Sequence, residues 1–270
     1  MGSALCALAA ACAGGPGVDT AKLITEDAAT VGEGRWELLG FYSAGRAERT
    51  FDDGRDVVDR ARLDDQAVWL EATSGRTDVL DLRAAVLWRE VVRDESGEFA
   101  DGLGNASILV KWCFFESADG SWSLAWLPGG TAPFGRVRRE ETKLILPGQE
   151  FWSFDNTLAA TYASGPFNVS FDLSYLLPIG PEREDRRGIA LANVGAGYQI
   201  TPWLQPILEV GYTSGIVSGI VIETDTLAVT PGVLVRLSDA VRLDVGVIQT
   251  FFGKNEDVLT QALVGMAVSL

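Results

Sequence analysis

The segment Asn168-Val169-Ser170-Phe171-Asp172-Leu173-Ser174-Tyr175 alternates polar and apolar side chains without interruption. Because successive side chains of a β-strand point to opposite faces, this order gives the strand one polar and one apolar face. The same period of two recurs in 203–213, 224–237 and 241–252, whereas no period of 3.6 extends over three helical turns. The sequence is therefore predicted to be all-β.

About twelve such segments follow one another along the chain. They are predicted at 34–44, 65–73, 79–93, 103–116, 121–133, 151–163, 167–177, 188–200, 203–213, 224–237, 241–252 and 257–270. Their lengths suit tilted membrane strands, which need about 9–11 residues. The predicted fold is a transmembrane antiparallel up-and-down β-barrel of about 12 strands, spanning 34–270.

The connections between these segments alternate in length. The tight turns are Ser74–Asp78, Ser117–Gly120, Ser164–Pro166, Thr201–Pro202 and Ser238–Ala240, and the longer polar connections are 45–64, 94–102, 134–150, 178–187 and 214–223. Short turns at one end and long loops at the other are typical of bacterial outer-membrane barrels. The connection Gly253–Glu256 is an exception, because it is short where a long loop is expected.

The polar faces decide between a soluble and a membrane barrel, since alternation fits both. In a soluble barrel, the apolar faces would have to fill the interior of twelve strands. We therefore predict that they contact lipid and that the polar faces line a charged lumen; a soluble sandwich or barrel is the alternative. The predicted pore-lining residues are Glu37, Glu71, Asp81, Arg83, Arg89, Lys111, Asp155, Asp172, Glu209, Arg236, Arg242 and Asp244.

Aromatic residues cluster near the ends of the predicted strands. Rings at these positions fit the interfacial girdle of a membrane barrel, although core packing would explain any single one of them. The predicted girdle residues are Trp36, Tyr42, Trp88, Trp122, Trp126, Trp152, Tyr162, Trp203 and Tyr212.

Composition excludes several classes of function. The 270 residues include 37 acidic and 22 basic side chains, a net charge of −15, and no histidine. Catalytic triads, zinc sites and haem sites that use histidine are therefore excluded. The acidic charge argues against nucleic acid as a partner. We predict no catalytic residue, no metal site, no cofactor and no enzymatic activity.

The first thirteen residues resemble a signal peptide. Residues 2–13 form an uncharged run of small and apolar residues, and Ala11-Cys12-Ala13 fits a cleavage site. Cys12 also fits the lipidation site of a lipoprotein, and a disordered alanine-rich tail is a further alternative. Removal of Cys6 and Cys12 would leave Cys113 as a single packed cysteine. Residues 14–33 are predicted to hang in the periplasm or to fold into the lumen as a hatch.

The acidic segment around 52–65 offers a candidate cation site. Asp52, Asp53, Asp56, Asp59, Asp64 and Asp65 could bind calcium or the divalent ions shared with lipopolysaccharide, because hard cations prefer carboxylates. Their spacing matches no EF-hand loop, and a solvated acidic loop is the simpler interpretation.

Several short segments resemble a known family. Residues 24–38, Gly75–Leu82, Leu103–Asn105 with Lys111-Trp112, and Leu127-Pro128-Gly129-Gly130 are similar to segments of the outer-membrane family named for the MetA-pathway of phenol degradation. The final strand, ending in Met266-Ala267-Val268-Ser269-Leu270, resembles the signal that the barrel-assembly machinery recognises. The resemblance implies a channel or transporter in the outer membrane of a Gram-negative bacterium.

Two functions are consistent with these patterns. The first is a passive, porin-like channel for small, aromatic or otherwise hydrophobic solutes. The second is a non-conducting structural barrel whose acidic loops bind a partner. In both cases the lipid bilayer and lipopolysaccharide are the expected surroundings. Twelve strands permit a narrow pore, because eight can be filled by side chains and about sixteen leave a wide channel.

Overall fold

The computed structural model describes residues 22–94, 98–134, 151–180, 186–217 and 224–270. Within these residues the chain forms twelve long strands and one strand of two residues. They are β1 (Trp36–Phe51), β2 (Val57–Thr77), β3 (Leu80–Arg93), β4 (Glu98–Glu116), β5 (Trp122–Pro133), β6 (Trp152–Ser164), β7 (Phe167–Ile179), β8 (Arg186–Tyr198), β9 (Leu204–Val217), β10 (Thr224–Arg236), β11 (Val241–Lys254), the short β12 (Glu256–Asp257) and β13 (Thr260–Ser269).

The strands form one closed antiparallel barrel. Each long strand pairs with the next in the chain, and β13 returns to pair with β1, from Glu37 opposite Ser269 to Arg46 opposite Thr260. Closure leaves no unpaired edge among the long strands, as a membrane barrel requires. The predicted all-β, up-and-down barrel of 12 strands is confirmed.

The connections at one end of the barrel are short, as expected. Turns of two to five residues join β2 to β3, β4 to β5, β6 to β7, β8 to β9 and β10 to β11 at the end that also holds Trp36 and Ser269. This end faces the periplasm in outer-membrane barrels. The predicted loop 134–150 lies outside the described residues apart from Phe134. The predicted loops 94–102, 178–187 and 214–223 are shorter than expected, because β4 begins at Glu98, β7 ends at Ile179, β8 begins at Arg186 and β9 ends at Val217.

The predicted loop 45–64 is wrong in most of its length. Strand β1 continues to Phe51 and β2 already begins at Val57, so the connection is only 52–56. The hairpin ladder continues to the pair Phe51 and Val57 after a register shift near Ala47. A hairpin that extends beyond the membrane has water on both sides, so both of its faces can be polar. Such strands show no polar–apolar alternation and are not predicted from it.

The outward face of the barrel is apolar. On β6 and β7 the outward residues include Phe154, Leu158, Phe171 and Leu173, whereas Ser153, Asp155, Ser170 and Asp172 point inward and are buried. Leu158 is 54% exposed at the centre of its strand, which is where lipid chains would cover it. Among the described residues, no helix is long and apolar enough to cross a membrane.

Candidate functional site

Residues 22–31, here called the lumen segment, lie inside the barrel. They precede β1 and enter at the short-turn end, where Gly34 N–H donates to Gly75 O at 3.0 Å and Thr30 Oγ1 donates to Asp78 O at 2.7 Å. The segment then follows the inner wall from β3 to β9, with contacts to the strands between them. The described part of 14–33 that precedes Gly32 therefore lies in the lumen.

Glu209 on β9 holds the far end of the lumen segment. Its carboxylate accepts hydrogen bonds from the backbone N–H groups of Leu23, Ile24 and Thr25, at 3.1, 2.9 and 3.3 Å. The Lys22 ammonium donates to the side chain of Asn168 on β7. Glu209 is fully buried, so the segment supplies the hydrogen bonds that water cannot reach.

Glycines on the inner wall make room for the same residues. A Cβ atom added at Gly232 on β10 or at Gly246 on β11 would collide with Cδ1 of Leu23. At Gly195 on β8, an added Cβ would lie 2.9 Å from Thr25 Oγ1. The wall of β8–β11 therefore has a groove that fits the lumen segment closely.

Ionic contacts hold the middle of the lumen segment. Arg83 on β3 donates to both carboxylate oxygens of Glu26, at 2.5 and 3.1 Å. Lys111 on β4 donates to Asp27 Oδ1 at 2.9 Å and to Ala29 O at 3.0 Å. Such charge-assisted contacts are strong where water is scarce.

Two further wall carboxylates bind the segment through its backbone. Asp172 accepts from Glu26 N–H at 2.9 Å, and Asp81 accepts from Val31 N–H at 3.1 Å. Together with Glu209, these acids come from strands β3, β7 and β9. The wall therefore recognises the backbone of the segment at three separate points around the barrel.

A small apolar cluster lies beside these polar contacts. Ala28 of the segment packs with Cys113, Ala125, Leu127 and Ala159, and its N–H donates to Thr161 Oγ1 at 2.9 Å. Cys113 is disulfide-bonded. The prediction of a single packed cysteine applies only if Cys6 and Cys12 are removed, and both lie outside the described residues.

Next to the lumen segment is a cavity of about 750 Å³. Its walls combine the ionic groups Glu26, Asp27, Arg83 and Lys111 with a set of inward-facing apolar side chains. These are Leu39, Phe41, Trp69, Leu87, Leu109, Leu176, Leu191, Ile248 and Leu263. The inner face therefore mixes charged and apolar side chains, rather than being uniformly charged.

Ten of the twelve charged residues predicted to line the pore fall into two groups on the inner wall. Glu37, Glu71, Asp81, Arg83, Lys111, Asp155 and Arg242 line the cavity. Asp172, Glu209 and Asp244 are completely or almost completely buried, the first two beneath the lumen segment and Asp244 against Arg242 at 2.8 Å. Arg89 is paired with Asp65 at 2.7 Å, and Arg236 lies at the exposed end of β10.

Sequence reasoning missed the apolar part of this wall. Trp69 is two residues before Glu71, Leu87 lies between Arg83 and Arg89, and Leu109 is two residues before Lys111. Alternation places each of them on the same inner face as its charged neighbour. The signal was therefore present, but these side chains were assigned to no site.

The aromatic residues predicted for the girdle lie at different depths. Trp36, Trp122 and Trp152 are the first residues of β1, β5 and β6, and Trp203 directly precedes β9. Trp122 and Tyr162 are in ring contact at 4.9 Å across neighbouring strands. Tyr42, Trp88, Trp126 and Tyr212 lie farther inside their strands.

The acidic segment 52–65 is occupied by ion pairs. Lys254 donates a hydrogen bond to Asp53 and holds the pKa of that carboxyl below its ordinary value. Asp64 pairs with Arg62 at 2.7 Å and with Arg46 at 3.0 Å. Among the described residues, no group of three or more acidic or cysteine side chains could hold a metal ion.

The closed barrel, its apolar outward face and its lumen with a cavity define an outer-membrane β-barrel with the architecture of channels and porins. An outer membrane channel from Pseudomonas putida F1 has a TM-score of 0.81 and 14% identity, covering 92% of this chain and 100% of that one. The NanC porin has a TM-score of 0.52 and 8% identity, covering 86% and 100% of the two chains. The KdgM porin has a TM-score of 0.50 and 9% identity, covering 86% of this chain and 99% of that one.

Residues 59–260 match the model of the family described as "Putative MetA-pathway of phenol degradation". The chain belongs to this family, as its short motifs indicated. No curated protein matches it. The fold and these neighbours place the protein in the bacterial outer membrane.

Proposed function

We propose that the protein is a passive channel for small apolar or aromatic solutes, and that it has no enzymatic activity. The cavity carries this proposal, because Phe41, Trp69 and Leu87 face it from three consecutive strands. Phe41 is paired with Trp69, and Trp69 with Leu87, so the three side chains form one continuous apolar surface. Such a surface inside a membrane barrel suits a solute with an apolar body.

The lumen segment controls passage in this proposal. It lies along the inner wall and is held by hydrogen bonds and ion pairs rather than by strand pairing, so it can detach while the strands of the barrel remain paired. The fold resemblance to an outer membrane channel supports the proposal.

The second candidate is a non-conducting structural barrel. The dense contacts between the lumen segment and the wall favour it, because a fixed plug would close the barrel permanently. In that case the hairpin around 52–65 would be the surface that binds a partner.

Liposome swelling distinguishes the two and tests the solute class. Phenyl glucoside and methyl glucoside both cross lipid slowly, and they differ in the aromatic ring. We expect phenyl glucoside to enter vesicles of the full chain at least as fast as the smaller methyl glucoside, and the replacement Trp69→Ser to reduce that preference. Rates that fall with solute size alone would argue against an apolar path. No swelling with folded protein would favour the structural barrel.

A further inference from the structure

Arg83 connects the apolar surface of the cavity to the lumen segment. Trp69 Nε1 donates to Glu71 Oε2 at 3.4 Å, and Glu71 Oε1 lies 3.1 Å from Arg83 Nε. The two terminal nitrogens of Arg83 then bind Glu26. A chain of polar contacts therefore leads from an aromatic wall residue to a carboxylate of the segment.

The carboxylate of Glu26 is accessible from the cavity. Its side chain is 32% exposed, whereas that of Arg83 is 12% exposed, and both line the cavity. A guanidinium binds any carboxylate through the same two-point geometry. A solute carboxylate that enters the cavity can therefore compete with Glu26 for the same two nitrogens.

We propose that the cavity is a binding site for aromatic carboxylates, which loosen the centre of the lumen segment by replacing Glu26 on Arg83. The ring lies against Phe41, Trp69 and Leu87, and the carboxylate takes the two terminal nitrogens of Arg83. The exchange leaves Arg83 paired with one carboxylate, and the displaced Glu26 carboxylate is then solvated in the cavity. The inference rests on the proposed channel function and names its solute class and its trigger.

The other ion pairs around Arg83 are kept during the exchange. Lys111 remains paired with Asp27, and Glu71 remains beside Arg83, when Glu26 leaves. The segment stays attached at Glu209 and at the short-turn end, so Glu26 can return when the solute has passed. Binding at Arg83 thus loosens the centre of the segment first.

Calorimetry with benzoate on the full chain in detergent tests this proposal. The variant Glu26→Gln removes the competing carboxylate, so we expect benzoate to bind roughly tenfold more tightly or better. The variant Arg83→Gln removes the receptor, so we expect at least a tenfold loss. Opposite signs at two paired residues are not expected if the pair is merely structural.

Two further probes and one variant test the ring, the carboxylate and the two-point contact separately. Benzyl alcohol lacks the carboxylate and acetate lacks the ring, and we expect both to bind the full chain more weakly than benzoate. Arg83→Lys keeps the charge but loses the two-point geometry, and we expect intermediate affinity. Arg83→Gln removes a buried charge, so the folding of this variant is checked by heat-modifiable gel mobility. If Arg83→Gln does not fold, Glu26→Gln still tests the proposal.

The results distinguish this inference from the proposed function. Equal benzoate affinity in the full chain and Glu26→Gln, or equal binding of benzoate and benzyl alcohol, overturns the inference even if the barrel conducts. Tight benzoate binding that follows the expected signs, in a barrel that never conducts, supports the site and overturns the channel.

Discussion

The carboxylate of Glu209, on the barrel wall, accepts the backbone N–H of Ile24 at 2.9 Å, although the two residues are 185 positions apart in the chain. This contact and its two neighbours fix the end of a segment that has no strand pairing of its own inside the lumen. The same carboxylate would face an open pore if the segment were absent.

Replacement Glu209→Gln should loosen the lumen segment. The amide keeps one acceptor oxygen and loses the charge, and a hydrogen bond to a charged group contributes about 1.5–3 kcal/mol. We expect the fraction of time in the open state to rise by about tenfold or more in planar bilayers. Glu48→Gln, at an exposed position of β1, is the control and should leave the current unchanged.

Replacement Gly246→Ala should displace Leu23 from its groove. The added methyl group would occupy the position of Leu23 Cδ1, so the end of the segment has to move. We expect an increased current, and a somewhat lower thermal transition because the methyl group also lies 3.1 Å from the backbone oxygen of Pro231 on β10. The matched control is Gly40→Ala, whose methyl group meets only a side-chain carbon of Leu70, at 3.4 Å. An equal current in both variants would contradict the groove.

The pair of Lys111 and Asp27 should show strong coupling. Removal of one partner leaves a charge largely shielded from water, at a cost of about 3–5 kcal/mol. We expect Lys111→Met to lower the free energy of unfolding in urea by an amount in this range. The double variant with Asp27→Asn should recover part of that loss, and strictly additive effects would exclude a direct contact.

A positive charge at Leu158 should report the position of the bilayer. Arginine on the lipid face of a membrane barrel costs about 2–4 kcal/mol at the midplane and falls to about 0–1 kcal/mol near the interfaces. We therefore expect Leu158→Arg to reduce the free energy of unfolding in vesicles far more than Leu237→Arg, which lies in the turn after β10. Equal effects would show that the apolar face does not meet the membrane core.

The turn at Asp119 should make a small contribution to stability that depends on pH. Hydrogen bonds from the Ser117 hydroxyl and from the backbone and hydroxyl of Ser121 lower the pKa of Asp119 to about 2. Since this pKa is depressed in the folded state, the contribution is complete above the ordinary value near 4 and is lost as pH falls towards 2. The difference in thermal stability between the native protein and Asp119→Ala should shrink over this window, and a constant difference would contradict it.

The sequence predicted the barrel well because alternation is a local property. In β7 each inward residue, such as Asp172, is flanked by outward apolar residues, and this pattern alone sets the face of every side chain. The extension of β1 and β2 beyond the membrane was missed because neither face of that hairpin has to be apolar.

The lumen segment could not be placed from sequence for a different reason. Its principal contacts use backbone N–H groups, which every residue except proline has, so Leu23 and Ile24 carry no visible signal for Glu209. The fit of Leu23 against Gly246 depends on a close approach between distant parts of the chain. The pairing of Glu26 and Asp27 with Arg83 and Lys111, by contrast, joins oppositely charged residue types that are visible in a sequence.

Single-channel conductance in planar bilayers, compared between the full chain and a variant without residues 22–31, tests most directly whether this segment closes the pore. Heat-modifiable gel mobility confirms beforehand that both barrels are folded. We predict small or rare current steps for the full chain and frequent, larger and discrete steps for the shortened one. Equal currents in the two proteins, or silence from the folded variant without the segment, would contradict the account.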